Sequence, residues 1–118
     1  MAFRVEISPE ALENLDAMAA HIQQHGSIES AERWFNGIVI SIRSLGEMPS
    51  RCPLAGESDE LQTEVRLLLH GKRNRRYKIY FAIHQPSATV RVFHIRHWAR
   101  RPAETDELED LEKRKPGR

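Results

Sequence analysis

Two stretches of helical periodicity, separated only by His25-Gly26-Ser27, constrain the fold of this chain more than any other feature. In the first, Leu12, Leu15, Ala19 and Ile22, flanked by Ala11 and Met18, recur three and four residues apart. Ser8-Pro9 supplies the start, a hydroxyl able to cap free backbone N–H groups followed by a proline at the first helical position. Glu10 sits in the first turn, where the helix dipole favours an acid. His25-Gly26 ends the helix, and Ser27 caps a second one with the apolar face Ala31, Trp34, Phe35, Ile38, Ile42 and Leu45, stopped by Gly46. Helices of about 17 and 19 residues joined by two or three residues form an antiparallel hairpin.

Strands flank that hairpin. Phe3, Val5 and Ile7 alternate with Arg4 and Glu6, the pattern of a short strand with one buried face. After a loop over residues 47–63, punctuated by Pro49, Pro53 and Gly56, three more strands are expected over about 64–70, 77–84 and 89–97. Tyr77, Ile79, Phe81 and Ile83 share one face, opposite Lys78, Tyr80, Ala82 and His84. Strict alternation in the last strand sets Val90, Val92, His94 and Arg96 against Arg91, Phe93, Ile95 and His97, and neither set is wholly suited to a core. The expected fold is α+β: an N-terminal strand, the antiparallel helical hairpin, then a three-stranded antiparallel meander. The helices cover one face of a single sheet, and the other face stays open. Residues 1–101 read as one domain. Residues 102–118 form a highly charged tail, weakly helical or disordered, with Leu108 and Leu111 its only large apolar side chains.

Charge is distributed unevenly along the chain. Residues 66–101 carry ten Lys or Arg and no Asp or Glu, whereas residues 1–65 carry four basic and eleven acidic side chains. Such polarity points to an anionic partner, either nucleic acid or an acidic protein segment. A solvated basic face is the plainer alternative. No apolar run is long enough to span a membrane, and the N-terminus lacks the apolar core of a signal peptide. The single Cys52 allows no internal disulfide and suits a reducing, cytoplasmic setting. Neither a metal nor a cofactor is expected: phosphate-loop and dinucleotide motifs are missing, and His21 and His25, four apart, read as a solvated helix end without a third ligand.

Five segments, in order, resemble the RelE/ParE superfamily of bacterial toxins from type II toxin–antitoxin modules. They are Val5-Glu6-Ile7-Ser8-Pro9-Glu10-Ala11, Met48-Pro49-Ser50-Arg51-Cys52-Pro53-Leu54-Ala55, Glu64-Val65-Arg66-Leu67-Leu68-Leu69-His70-Gly71-Lys72, Tyr77-Lys78-Ile79-Tyr80-Phe81 and Val92-Phe93-His94-Ile95-Arg96-His97-Trp98-Ala99-Arg100-Arg101. The resemblance implies a small toxin neutralised by an antitoxin that wraps an acidic segment around it, forming a toxin–antitoxin hetero-oligomer. It also implies one of two actions. ParE-like members poison DNA gyrase without known catalytic residues, and the long hairpin, the Ser8-Pro9-Glu10-Ala11 opening and the Ile95-Arg96-His97-Trp98-Ala99-Arg100 close favour that side. Trp98 stands where ParE-like chains have glycine, as a stacking platform or as a seal on the core edge.

RelE-like members instead cleave mRNA in the ribosome without a metal. By resemblance Lys78, Arg96 and Arg100 would be the catalytic cations, with Arg73 and His97 assisting. The tyrosine that RelE-like chains carry a few residues later is missing, since Pro102, Ala103, Glu104 and Thr105 follow Arg101. Lys72, Arg73, Arg75 and Arg76, together with Arg91, Trp98 and Arg101, are the candidate contacts for antitoxin or nucleic acid. A third reading is a relic that binds its antitoxin and poisons nothing.

Overall fold

Ser8 is where strand turns into helix. In the computed structural model, which describes residues 2–56 and 64–98 (the Asn74 side chain excepted), β1 spans Arg4–Ile7 and α1 spans Pro9–His25. The fully buried Ser8 accepts a hydrogen bond from the Ala11 N–H at 3.1 Å, and Pro9 occupies the first helical turn. Ser27 repeats the device for α2, Ile28–Arg43, accepting from the Ser30 N–H at 3.0 Å. A 3-10 turn over Ser44–Gly46 continues α2, so the expected end of the second helix at Gly46 holds in outline.

Strands β2 (Arg66–His70), β3 (Tyr77–His84) and β4 (Thr89–His97) form the antiparallel meander. The sheet order is β1-β4-β3-β2, and β1 joins the far side of β4 in parallel, pairing Val5 with Val90 and Ile7 with Val92. The helical hairpin packs on one face. Its core joins Ala11, Leu15, Ile38, Ile42 and Leu45 to Tyr77, Ile79, Phe81, Val90, Val92 and Ile95. Once β1 has ended, α1 lies along the exposed edge of β4. Ser8 donates its hydroxyl to the Phe93 carbonyl at 3.4 Å, and Asn14 Oδ1 accepts from the Ile95 N–H at 3.0 Å.

Strict alternation along β4 is corrected by a bulge. Tyr80 pairs with His94 but Phe81 pairs with Val92, so Phe93 is an extra residue in β4. The insertion moves Ile95 onto the helix face beside Val90 and Val92 and leaves His94 and Arg96 on the opposite one, which resolves the mixed pattern of the sequence.

That opposite face is not simply open, as the sequence suggested. Two aromatic rings on it, Tyr80 and Phe93, make a second apolar cluster with Ala55 and Val65, flanked by Leu67 and Ala82. Backbone bonds from Ala55 N–H to the Val65 carbonyl and from Leu67 N–H to the Pro53 carbonyl, 2.7 and 3.0 Å, hold the loop against the outer edge of β2. Arg66 reinforces it, donating to the Cys52 carbonyl at 2.6 Å. The tail over residues 102–118, read above as weakly helical or disordered, lies outside the described residues.

Candidate functional site

The basic residues gather at the end of the sheet where β2 turns into β3 and β4 finishes. Gly71 opens the connecting turn at φ +95°, a region that favours glycine, and Arg73 follows at φ +55° in a 3-10 turn over Arg73–Arg75. Lys72, Arg73, Arg75 and Arg76 are all exposed, and no ion pair engages them among the described residues. The Trp98 N–H donates to the Arg76 carbonyl at 2.9 Å, which ties the end of β4 to this turn and leaves the indole 43% exposed.

The sheet divides the remaining candidates. Lys78 and Arg96 are cross-strand partners on the face away from the helices, with Leu69 the next residue across, on β2. Arg96 is buried, at 4% exposure; its Nη2 donates to the Tyr80 hydroxyl at 2.9 Å, and its guanidinium carbon lies 5.5 Å from the centre of the Tyr80 ring. His94 shares that face, buried with its ring centre 5.7 Å from that of Tyr80. Arg91 is also there, but Glu6 of β1 accepts from it at 2.9 Å and also pairs with Arg4 at 3.3 Å.

His97 lies on the other face. Its ring meets Tyr77 edge-on at 5.2 Å, and Tyr77 in turn packs 5.2 Å from Trp34 of α2. Burial raises the pKa of the Tyr77 phenol, and the charge of Arg75 opposes the shift. Thus Lys78 and Arg96 come together, Arg73 stands on the neighbouring turn, and His97 is separated from them by the sheet. Arg100 and Arg101 lie outside the described residues.

A further polar pair was not foreseen from the sequence. Ser41 Oγ of α2 and His70 Nδ1 of β2 are 2.6 Å apart, and burial lowers the His70 pKa from its usual value. Gly37 faces the ring, where a β-carbon would stand in ordinary contact, 3.7 Å from His70 Cε1. The available signal was Gly37 and Ser41 one helical turn apart, opposite a histidine closing an apolar strand.

No group of three or more His, Cys, Asp or Glu that could hold a metal ion occurs among the described residues, and His21 and His25 stack 4.3 Å apart at the end of α1. No described helix is long and apolar enough to cross a membrane. Cys52 is buried, and burial raises the pKa of its thiol against the opposing charges of Arg51 and Arg66. Chemically, the site offers cations and aromatic surface suited to an anionic partner.

Comparison with known proteins places this arrangement. A solved chain described as "Chromosomal ParDE TA system from P. aeruginosa" shares the fold at TM-score 0.65 and 19% identity, the match covering 81% of this chain and 96% of that one. No curated protein matches the sequence. The family described as "ParE toxin of type II toxin-antitoxin system, parDE" matches residues 5–102. That span takes in both helices and every described strand but for Arg4 at the start of β1, and the chain belongs to the ParE toxin family of type II toxin–antitoxin systems.

Proposed function

We propose that this protein is a toxin that inhibits DNA gyrase and is held inactive by a cognate antitoxin in a hetero-oligomer. The observation that favours this over mRNA cleavage is the partition of the would-be catalytic residues by the sheet. Cleavage through a 2′-hydroxyl needs a base, cations on the phosphorane and an acid for the leaving oxygen, all within reach of one phosphodiester. Lys78 and Arg96 lie on one face, while His97 packs on Tyr77 on the other. His94 is on the same face as the two cations but is buried against Tyr80. The described surface therefore offers charge for docking without an accessible acid–base pair.

The antitoxin contact follows from the same charges. The exposed turn over residues 71–76 carries four cations, and Trp98 adds exposed aromatic area beside it. An acidic segment that orders on binding would pair with these and bury the ring. The direct test is supercoiling by purified gyrase with increasing amounts of the full chain. The expected result is inhibition that the antitoxin reverses, unchanged in the Lys78→Ala variant. The RelE-like reading draws on the Lys78–Arg96 juxtaposition; ribosome-dependent mRNA cleavage lost in Lys78→Ala, with gyrase unaffected, would establish it instead. Inactivity in both assays with antitoxin binding retained would identify a relic.

A further inference from the structure

One end of the sheet sets an exposed aromatic ring among cations. Arg76 is extended (φ −91°, ψ 138°) and continues β3 by one residue, and the Trp98 N–H donates to its carbonyl at 2.9 Å. Trp98 thus stands opposite Arg76, one place beyond the Tyr77–His97 pair, and alternation puts both on the face of Lys78. Opposite side chains in an antiparallel ladder sit about 5 Å apart at Cβ and diagonal ones about 7–8 Å. The indole therefore has Arg76 across from it and Lys78 on the diagonal, and it is 43% exposed. The preceding turn adds Lys72, Arg73 and Arg75, all exposed, and none of these cations makes an ion pair among the described residues.

That combination suits a single nucleic acid strand. Phosphates are drawn to unpaired cations, and an unstacked base lies on an aromatic face whatever its identity. An acid beside the site would repel the strand, and residues 66–101 contain none. The turn is also held in place, by the Arg75 N–H on the Lys72 carbonyl at 3.0 Å and by the Trp98–Arg76 bond, so little order has to be created on binding. A double helix offers the same charges but keeps its bases stacked, which leaves the indole unused. Of the two single-stranded polymers DNA is sufficient. Contact through phosphates and a base face requires no 2′-hydroxyl, the group by which RNA is selected.

We propose that this end of the sheet binds single-stranded DNA without regard to sequence. Its phosphates run along Lys72, Arg73, Arg75 and Arg76, and a base lies on the Trp98 indole with Lys78 beside it. This goes beyond the gyrase reading and does not depend on it. The antitoxin contact proposed above uses the same turn, so an antitoxin bound there would exclude the strand.

The test is fluorescence anisotropy of a labelled oligo-thymidylate of about 12 nucleotides with the full chain, across a salt series. Four phosphate contacts predict that log K falls with log salt at a slope of about −2.8 (4 × 0.7). Lys72→Ala and Arg75→Ala should each reduce that slope by about 0.7. Trp98→Ala should weaken binding about tenfold at every salt concentration and leave the slope unchanged, while Trp98→Phe, which keeps a ring, should recover most of the loss. Thermal melting confirms that each variant is folded. Absence of binding, or a Trp98→Ala chain that binds like wild type, overturns the proposal. So does a duplex or an oligo-uridylate of the same length bound about tenfold more tightly, because the surface would then select a double helix or RNA. Polyglutamate of equal charge displacing the strand as well as unlabelled oligo-thymidylate does would overturn it too, since the surface would then read charge alone. Neither gyrase nor an antitoxin is present in any arm, so failure here and failure of the toxin reading remain distinguishable.

Discussion

Ser8 shows how much one side chain can do at a junction. Its oxygen accepts from the Ala11 N–H and its hydroxyl donates to the Phe93 carbonyl, so it starts α1 and pins that start to β4. Ser8→Ala should cost about 1–2 kcal/mol, read by chemical denaturation. His70 gives a pH prediction. Burial lowers its pKa below the ordinary 6.5, so the unfolded chain takes up the proton first as pH falls. The corresponding stability is fully present above about 6.5 and is lost as pH drops from there toward the lower folded-state value. His70→Asn, which keeps a polar atom near Ser41, should flatten that part of a stability–pH curve. Lys78 separates the two toxin mechanisms better than Arg96 does. The buried Arg96 guanidinium holds the Tyr80 hydroxyl, so truncating it disturbs packing as well as charge. Lys78 is half-buried, and Lys78→Ala should leave growth inhibition intact.

The connecting elements carry the backbone constraints. Gly71 at φ +95° lies against the Arg75 backbone, and a β-carbon there would collide with the Arg75 carbonyl oxygen. Gly71→Ala should destabilise the chain by about 1–3 kcal/mol and disorder the basic turn, visible as faster amide exchange in β2 and β3. How far such features can be read from sequence depends on their range. Both helices were legible because Ser8-Pro9 and Ser27 are local signals with a local cause. The β4 bulge was not, since alternation reports on facing only while the register is unbroken. An inserted Phe93 is recognised only through its partners, Tyr80 before the shift and Phe81 after it. The parallel pairing of β1 with β4 joins residues about 85 apart in sequence, and no local pattern encodes it. The Ser41–His70 pair escaped notice for the same reason.

At the scale of the whole molecule, the fold turns a charge gradient along the chain into a charged end of a sheet. Lys72, Arg73, Arg75, Arg76, Lys78 and Arg96 gather where β2, β3 and β4 meet the turn, while Glu6 neutralises Arg91 further along. The basic character was legible in composition. Its division between two faces was not, because that depends on register, and register sets His97 against Tyr77 and Lys78 against Arg96. That division is the observation on which the proposed gyrase reading, rather than RNA cleavage, rests. The most direct test of this claim is pulse labelling of DNA and protein synthesis in bacteria induced to make the chain alone. The account predicts that DNA synthesis falls first while translation continues, equally in wild type and Lys78→Ala. Translation collapsing first, and only with Lys78 intact, would contradict it.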